Sequence, residues 1–147
     1  MTDFKKLSSG DEAQFATLIQ LFNVVFETAN PAPINNNQLL KLLSNSAFIS
    51  FVAIDNNEIV GGLTAYELPS YYSEQSEAYL YDIAVKPEFQ RAGIGKQLIS
   101  TLTEYCKQNN IAIFFVEAHE EDQEAVDFYH KIEGQAERII HFNFLLK

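Results

Sequence analysis

The chain has 147 residues, 47% of them hydrophobic and 20% charged, which suits one α/β domain over residues 1–147. A net charge of -10 disfavours nucleic acid as a partner, and no apolar run approaches the roughly 20 residues of a membrane span. The N-terminal segment has no basic-then-apolar leader pattern and the single cysteine excludes an internal disulfide, so we expect a cytoplasmic location.

The first half of the chain predicts two helices followed by a hairpin. Ser9 and Glu12 have the spacing of a capping box, which predicts a helix that begins here and buries an apolar face between Phe15 and Phe26. A loop rich in proline and asparagine separates this helix from a short second one at 38–44. The β-branched and aromatic segments FISFVAID and EIVGGLTAYEL flank a turn signal, so they predict two antiparallel strands.

The second half predicts strands that alternate with helices. Strands are expected at 77–85, at 111–119 with both faces covered, and at 138–146, where RIIHFNFLL would close the sheet. Helical spacing predicts helices from residue 93 to about residue 109 and at 123–132. This order predicts an α/β fold with a mixed, mostly antiparallel central sheet and helices on both of its faces.

The stretch QRAGIGK, residues 90–96, predicts an anion site at the start of a helix. Unpaired amides and the positive end of the helix dipole meet at such a position. Gly93 and Gly95 let backbone amides approach phosphate oxygens without a Cβ in the way, and Arg91 and Lys96 add positive charge. The alternative is a tight strand-to-helix turn with no ligand.

Two common phosphate-binding motifs do not fit this stretch. A Walker loop requires glycine where the chain has Gln90 and a hydroxyl where it has Gln97. A dinucleotide fingerprint requires a third glycine where the chain has Leu98. The residues therefore indicate a phosphate site of another kind.

The segment YDIAVKPEFQRAGIGKQLI resembles the acetyl-coenzyme A site of the GCN5-related N-acetyltransferase (GNAT) superfamily. Gln90, Gly93 and Gly95 match its Gln/Arg-x-x-Gly-x-Gly/Ala signature, and AVDFYHKI is similar to its Ala-x-x-Phe-Tyr-x-Lys-Leu element. The resemblance implies the GNAT fold and acetyl-coenzyme A as co-substrate. It implies that the pantetheine arm pairs with strand residues Ile83, Ala84 and Val85, and that the pyrophosphate is held by Gln90, Arg91, Ala92, Gly93, Ile94, Gly95 and Lys96.

A narrower resemblance points to the small aminoglycoside 3-N-acetyltransferases of the gentamicin-resistance type. It lies in LTAYELPSYYSEQSEAYLYDIAV and in IIHFNF near the C-terminus. It implies acetyl transfer to the 3-amino group of an aminoglycoside, and it allows a homodimer that pairs through C-terminal strands. The segments HEEDQEA and KIEGQAER depart from the group's pattern, so the resemblance does not fix the shape of the substrate-facing surface.

The resemblance also assigns the reacting groups. A substrate amine must lose its proton before it attacks a thioester, which costs about 3 to 4 kcal/mol at pH 7. Asp82 is implied as the base and Tyr129 as the acid that protonates the departing thiolate, with a strand amide near Ile83 receiving the oxyanion. An ordinary aspartate accepts a proton poorly, so either burial raises the pKa of Asp82 or the proton passes through water.

The acceptor is inferred from carboxylates and tyrosines. Several acidic side chains around one cleft suit a polycationic small molecule, and tyrosine rings suit its sugar rings. The expected substrate-binding residues are Tyr66, Glu67, Tyr81, Glu120, Glu121 and Asp122. The alternatives are an acetyltransferase for a polyamine or a peptide terminus, or a coenzyme A binding module without turnover.

Cysteine and histidine give no sign of other chemistry. Cys106 shares a helical stripe with Leu98 and Leu102, which predicts a buried, inert thiol rather than a nucleophile. The three histidines lie on different elements without metal-ligand spacing, so we expect no metal.

Overall fold

The computed structural model describes residues 1–147, which divide into a first unit, Met1–Glu117, and a second unit, Ala118–Lys147. The strands of the first unit are β1 (Thr2–Lys6), β2 (Phe48–Asp55), β3 (Glu58–Leu68), β4 (Ser76–Val85) and β5 (Ile111–Val116). Its helices are α1 (Glu12–Val25), α2 (Asn36–Leu43) and α3 (Ile94–Gln108), with a 3-10 turn at Pro87–Phe89. That the whole chain is one domain stays a prediction.

The five strands form one sheet in the order β1-β2-β3-β4-β5. The pairs from β1 to β4 are antiparallel, and β5 lies parallel to β4. The β2–β3 turn uses Asn56 and Asn57 with positive φ values of 48° and 63°, the conformation of a tight hairpin turn. The prediction of a mixed, mostly antiparallel sheet is confirmed.

Each face of the sheet carries its own hydrophobic core. On one face α1 and α2 bury residues such as Leu18 and Leu39, and on the other α3 buries Leu98, Leu102 and Cys106. Helices therefore cover both faces, as predicted. Cys106 is buried and unpaired, as its place on the helical stripe indicates.

Close contact between α1 and the sheet depends on Gly62 in β3. A Cβ built at Gly62 would lie 2.5 Å from Leu18 Cδ1 and 2.7 Å from the carbonyl oxygen of Phe51. Both distances are far below the roughly 3.5 to 4.0 Å of a normal carbon contact. Only glycine lets the helix lie this close to the strand.

The N-terminal region differs from its sequence prediction. β1 was not expected, and the capping box at Ser9 does not form, because α1 begins at Glu12 with Asp11 as its N-cap. The Asp11 carboxylate accepts hydrogen bonds from the Ser8 amide at 2.9 Å and from Lys5 Nζ at 3.0 Å. These bonds lower the pKa of Asp11 and close the turn that links β1 to α1.

β5 forms where predicted but is not covered on both faces. Ile113 is 54% exposed and Phe115 is 39% exposed. A continuous apolar run predicts a doubly covered strand only when the strand is internal to the sheet, whereas β5 is its edge. The exposed side chains follow from that edge position.

The second unit contains one helix, α4 (Gln123–Lys131), which confirms the helix predicted at 123–132. The closing strand predicted at 138–146 does not form, and its apolar residues are exposed, with Phe144 at 85%. A strand needs a neighbouring strand for its amides and carbonyls, and these residues have none. The homodimer that would pair through them stays a prediction. None of the four helices has the length and hydropathy of a membrane span.

Candidate active site

A β-bulge in β4 sets the direction of Asp82. Consecutive residues of β3 pair with Leu80 and Asp82, which leaves Tyr81 between them without a partner. Strand side chains alternate between faces, so one extra residue reverses the alternation. Leu80 packs in the core under α3, whereas Ala84, beyond the bulge, packs in the core under α1 and α2. The bulge therefore turns Asp82 towards the α1 face.

A row of aromatic rings crosses the sheet beside Asp82. The ring centroids of Tyr66 and Tyr81 are 5.8 Å apart, and those of Tyr81 and Tyr79 are 5.6 Å apart, both edge to face. Tyr79 in turn stacks on Phe115 at 4.9 Å. Contacts of this kind stabilise fixed ring orientations. The row joins β3, β4 and β5 along one face of the sheet.

A cavity of about 280 Å³ opens on this face between α1, α2 and the sheet. Its apolar lining consists of Phe15, Ile19, Phe22, Phe26, Leu42 and Phe48. Its polar lining consists of Asn23, Thr28, Thr64, Tyr66, Tyr81 and Asp82. Asp82 is the only charged side chain among them.

The environment of Asp82 changes its acidity. Burial raises the pKa of Asp82 above the ordinary aspartate value. Burial also raises the pKa of Tyr66, and the neighbouring Tyr81 and Asp82 add to that effect. A carboxylate with a raised pKa accepts a proton more readily near neutral pH. The arrangement therefore suits Asp82 to remove a proton from a bound amine.

The edge of β4 becomes free next to Asp82. The parallel β4–β5 ladder runs from Ser76 to Leu80 on β4 and stops there. Residues Asp82–Val85 pair with β3 on one side and with no strand on the other. An extended chain of amides can add to such an edge as a further strand. This gap is where the sequence predicts a pantetheine arm beside Ile83, Ala84 and Val85.

The loop before α3 has two residues in the left-handed region. Arg91 has φ 66° and Gly93 has φ 82°. The Gln90 side chain donates a hydrogen bond to the Val85 carbonyl at 2.9 Å, so it ties the loop to the end of β4. Gln90 therefore has a clear structural role at this loop.

The amides of this loop are free to bind an anion. The N–H groups of residues 91–96 have no backbone acceptor, and they lie at the N-terminus of a 15-residue helix. Arg91 and Lys96 are exposed and form no salt bridge. A pyrophosphate fits this site, which Ala92, Ile94 and Gly95 complete. No group of three His, Cys, Asp or Glu side chains forms a metal site.

A sequence model of a known family covers both the pocket and the loop. The model described as the acetyltransferase (GNAT) family matches residues 15–134. The chain belongs to the GNAT acetyltransferase family. This match confirms the resemblance to the GNAT superfamily that the glycine loop and the Phe-Tyr helix indicate. The protein is an acetyltransferase.

Solved structures resemble this GNAT acetyltransferase over nearly its whole length. Meta-AAC0020, an aminoglycoside acetyltransferase from an uncultured soil metagenomic sample, is known in complex with sisomicin. It is 39% identical with a TM-score of 0.97, over 99% of this chain and 97% of its own. HMB0005, an aminoglycoside acetyltransferase also from an uncultured soil metagenomic sample, is 33% identical with a TM-score of 0.86, over 100% and 99% of the two chains.

A more distant structure shares the fold. AAC(6')-Iy, in complex with the bisubstrate analogue CoA-S-monomethyl-acetylneamine, is 17% identical with a TM-score of 0.83, over 99% of both chains. At this identity the likeness shows the fold alone. No curated protein sequence matches the chain.

One predicted substrate residue of the GNAT acetyltransferase lies away from the pocket. Glu67 follows Tyr66 on β3, so its side chain points to the opposite face. Burial raises the pKa values of Tyr105 and Cys106 on that face, and the charge of Glu67 adds to the effect. The structure brings Tyr66 and Tyr81 together with Asp82 but leaves Glu67 out of this group. Its placement gives no support to a role in acceptor binding.

Four predicted site residues lie in the second unit. Tyr129 is on α4, and its carbonyl accepts a hydrogen bond from the Gly134 amide at 2.9 Å. Asp122 caps α4 by accepting the Ala125 amide at 3.2 Å, and Glu120 lies 3.5 Å from Arg138 in an exposed ion pair. Glu121 is exposed. Their catalytic and substrate-binding roles stay predictions.

Sequence analysis missed Glu117, which directly follows β5. The Tyr79 hydroxyl donates a hydrogen bond to its carboxylate, and this bond, together with burial, raises the pKa of Tyr79 to about 12. No sequence spacing connects two residues this far apart in the chain. The only available signal is a carboxylate at the carboxyl end of a strand, the edge of an α/β sheet where sites gather.

Proposed function

We propose that this GNAT acetyltransferase transfers an acetyl group from acetyl-coenzyme A to an amine of an aminoglycoside, and that the amine acetylated is the 3-amino group. The observation that carries the proposal is Asp82, the only charged side chain of a pocket that opens beside the free edge of β4. The sisomicin complex of meta-AAC0020, which is 39% identical, supports an aminoglycoside as acceptor.

The chain offers two surfaces for acetyl-coenzyme A. The free amides from Arg91 to Lys96 and the two cationic side chains would hold the pyrophosphate, and the backbone from Ile83 to Val85 would hold the pantetheine arm. When bound, acetyl-coenzyme A supplies an acetyl group activated as a thioester. An amide of this strand segment would donate a hydrogen bond to the oxygen that gains charge.

Asp82 would act on the acceptor amine. Its carboxylate attracts the ammonium form and takes a proton from it, directly or through one water molecule. The raised pKa of Asp82 brings its proton affinity closer to that of the amine than an exposed aspartate would have. The two acidities still differ, so the binding of a positioned amine must supply part of the driving force.

Tyr129 and the remaining acidic residues complete the proposal. The Tyr129 hydroxyl would donate a proton to the departing thiolate. Glu120, Glu121 and Asp122 would pair with further ammonium groups of the acceptor, and the rings of Tyr66 and Tyr81 would stack on its sugar rings.

A matched pair of acceptors tests both the activity and its position. Neomycin carries an amine at its 6' carbon, and paromomycin carries a hydroxyl there, whereas both carry the 3-amino group. We expect thiol release with both antibiotics and, by NMR of the product, an acetyl group on the 3-amino nitrogen. Release with neomycin alone would place the reaction at the 6' position. No release with any aminoglycoside, from a protein that binds coenzyme A, would refute the proposed acceptor.

A further inference from the structure

The pocket beside Asp82 is more apolar than a polycationic antibiotic requires. Four phenylalanine rings, Phe15, Phe22, Phe26 and Phe48, line it, and Asp82 is its single charge. An aminoglycoside would bring several ammonium and hydroxyl groups against these rings, and a buried polar group without a partner is costly. The interior of the pocket therefore suits an apolar group better than a polar ring.

The phenylalanine rings form a packed wall of the pocket, in which Phe15, Phe22 and Phe48 are buried and Phe26 is exposed. Phe22 and Phe26 stack with centroids 5.6 Å apart and planes inclined by 17°, at the C-terminal end of α1. The ring centroid of Phe48 lies 5.4 Å from that of Phe15 and 5.3 Å from that of Tyr66. Phe26 is 46% exposed although it lines the cavity, so part of its ring is open to a ligand. An aromatic ring gains from such neighbours in both stacked and edge-to-face geometry.

The size of the cavity limits what can enter it. At about 280 Å³ it lies just below the roughly 300 to 1,000 Å³ of pockets that enclose drug-sized ligands. One ring on a short linker fits this space. A whole aminoglycoside does not, so its other sugar rings would remain outside.

We infer that the pocket gives the enzyme a second class of acceptor, primary amines joined by a short linker to an aromatic ring. The ring would lie against Phe22, Phe26 and Phe48, and the amine would lie at Asp82. This inference rests on the proposed acetyl transfer at Asp82. The same carboxylate serves both acceptor classes, which differ in what occupies the apolar part of the pocket.

The reaction balances as an ordinary acetyl transfer. The ammonium group loses one proton, and the freed nitrogen lone pair forms the new C–N bond while the thioester C–S bond breaks. The nitrogen of the new amide then loses its second proton, and the departing thiolate takes up one proton to become the thiol. The products are an N-acetylated arylalkylamine and coenzyme A, with one proton released overall.

The experiment uses 2-phenylethylamine and sisomicin as acceptors for the full chain, with products identified by mass spectrometry. We expect N-acetyl-2-phenylethylamine to form. In Phe26→Ala, the ratio of kcat/KM for 2-phenylethylamine to kcat/KM for sisomicin should fall about three- to tenfold, the range of one lost aromatic contact. Val24→Ala is the matched control, because Val24 is 74% exposed on the same helix and does not line the pocket. It should leave the ratio unchanged.

The outcomes separate this inference from the proposed function. If sisomicin is acetylated and 2-phenylethylamine is not, the inference is overturned and the proposed function stands. If 2-phenylethylamine is acetylated but Phe26→Ala and Val24→Ala give the same ratio, the ring is bound elsewhere and the inference is overturned. If 2-phenylethylamine alone is acetylated, and Phe26→Ala but not Val24→Ala lowers its kcat/KM, the inference stands and the aminoglycoside proposal fails. If neither is acetylated, both fail.

Discussion

Gly62 offers a quantitative test of how α1 is placed over the sheet. In Gly62→Ala, the new methyl would lie 2.5 Å from Leu18 Cδ1 and 2.7 Å from the Phe51 carbonyl oxygen. The leucine side chain can rotate, but the carbonyl belongs to the β2 backbone, which is held between β1 and β3. The helix and strand must therefore separate, or the sheet must distort.

The size of the effect follows from two opposing contributions. Overpacking of a core costs about 1 to 3 kcal/mol, and the short backbone contact places this site at the upper end. Alanine recovers roughly 0.5 to 1 kcal/mol relative to glycine in a strand, which leaves a net loss of about 2 kcal/mol. For a chain of this length that loss lowers Tm by about 4 to 8 °C.

The assay is thermal and urea unfolding followed by circular dichroism. Leu18→Ala provides a double-mutant cycle, because removing the leucine side chain leaves room for the new methyl. Gly62→Ala should cost less in that background than in the wild type. The end of α1 lines the acceptor pocket, so Gly62→Ala should also raise the acceptor KM more than the acetyl-coenzyme A KM. An unchanged Tm, or the same cost in both backgrounds, would refute the packing argument.

Three further predictions concern the site. Asp82→Asn should lower kcat by about 10²- to 10⁴-fold with little change in coenzyme A affinity measured by calorimetry. Since burial raises the pKa of Asp82, wild-type kcat/KM should fall with decreasing pH at values above the usual aspartate range. Above that pKa the ionised carboxylate destabilises the folded state, so the Tm of Asp82→Asn should equal or exceed the Tm of the wild type. A lower Tm would contradict this. Gly93 has φ 82° and no atom within 4 Å of its Cβ position; Gly93→Ala should therefore cost about 1 to 2 kcal/mol of stability through strain. Gly93→Asn should cost less, because asparagine tolerates this conformation, and equal costs by urea unfolding would contradict the account. Tyr79→Phe should remove the tyrosine that titrates at about 12 from an ultraviolet pH titration, whereas loss of a tyrosine that titrates near the ordinary value of about 10 would show that its hydroxyl is not bonded to Glu117.

Local signals predicted the strand, loop and helix of the expected cofactor side. The glycine loop, the strand before it and the helix after it are adjacent in the chain, so short-range spacing contains the necessary information. The left-handed φ of Gly93 is the kind of conformation that a glycine before a helix indicates. Gln90 was expected among the pyrophosphate ligands, and the structure adds a bond from its side chain to Val85.

The acceptor side depends on long-range contacts, and there the sequence was less informative. The pocket combines the end of α1 with β3 and β4, which are distant in the chain. The sequence therefore does not indicate that Phe22 and Phe26 line the pocket, whereas the folded structure does. The bulge at Tyr81 arises from the register between β3 and β4, which no single strand specifies. Glu67 was placed with Asp82 because both are acidic and near strand ends, but strand alternation sends its side chain to the other face.

The ends of the chain show a third limit. β1 is an edge strand, and its short, charged sequence has little of the alternation that predicts strands. The apolar run at 138–146 has the pattern that predicts a strand, but it forms none, because strand propensity alone supplies no neighbouring strand to pair with. Composition predicts which residues favour extended structure, whereas pairing decides which of them form a sheet.

The unpaired residue in β4 has a consequence for how this enzyme can change over evolutionary time. The direction of the Asp82 carboxylate depends on Tyr81 staying out of the ladder, rather than on the identity of that residue. Many side chains could replace Tyr81 and leave the acid in place. An unbroken ladder that paired Tyr81 would instead place the carboxylate on the same face as Leu80, in the core beneath α3. We expect relatives either to keep this residue unpaired or to lack it, because both arrangements leave the acid on the α1 face.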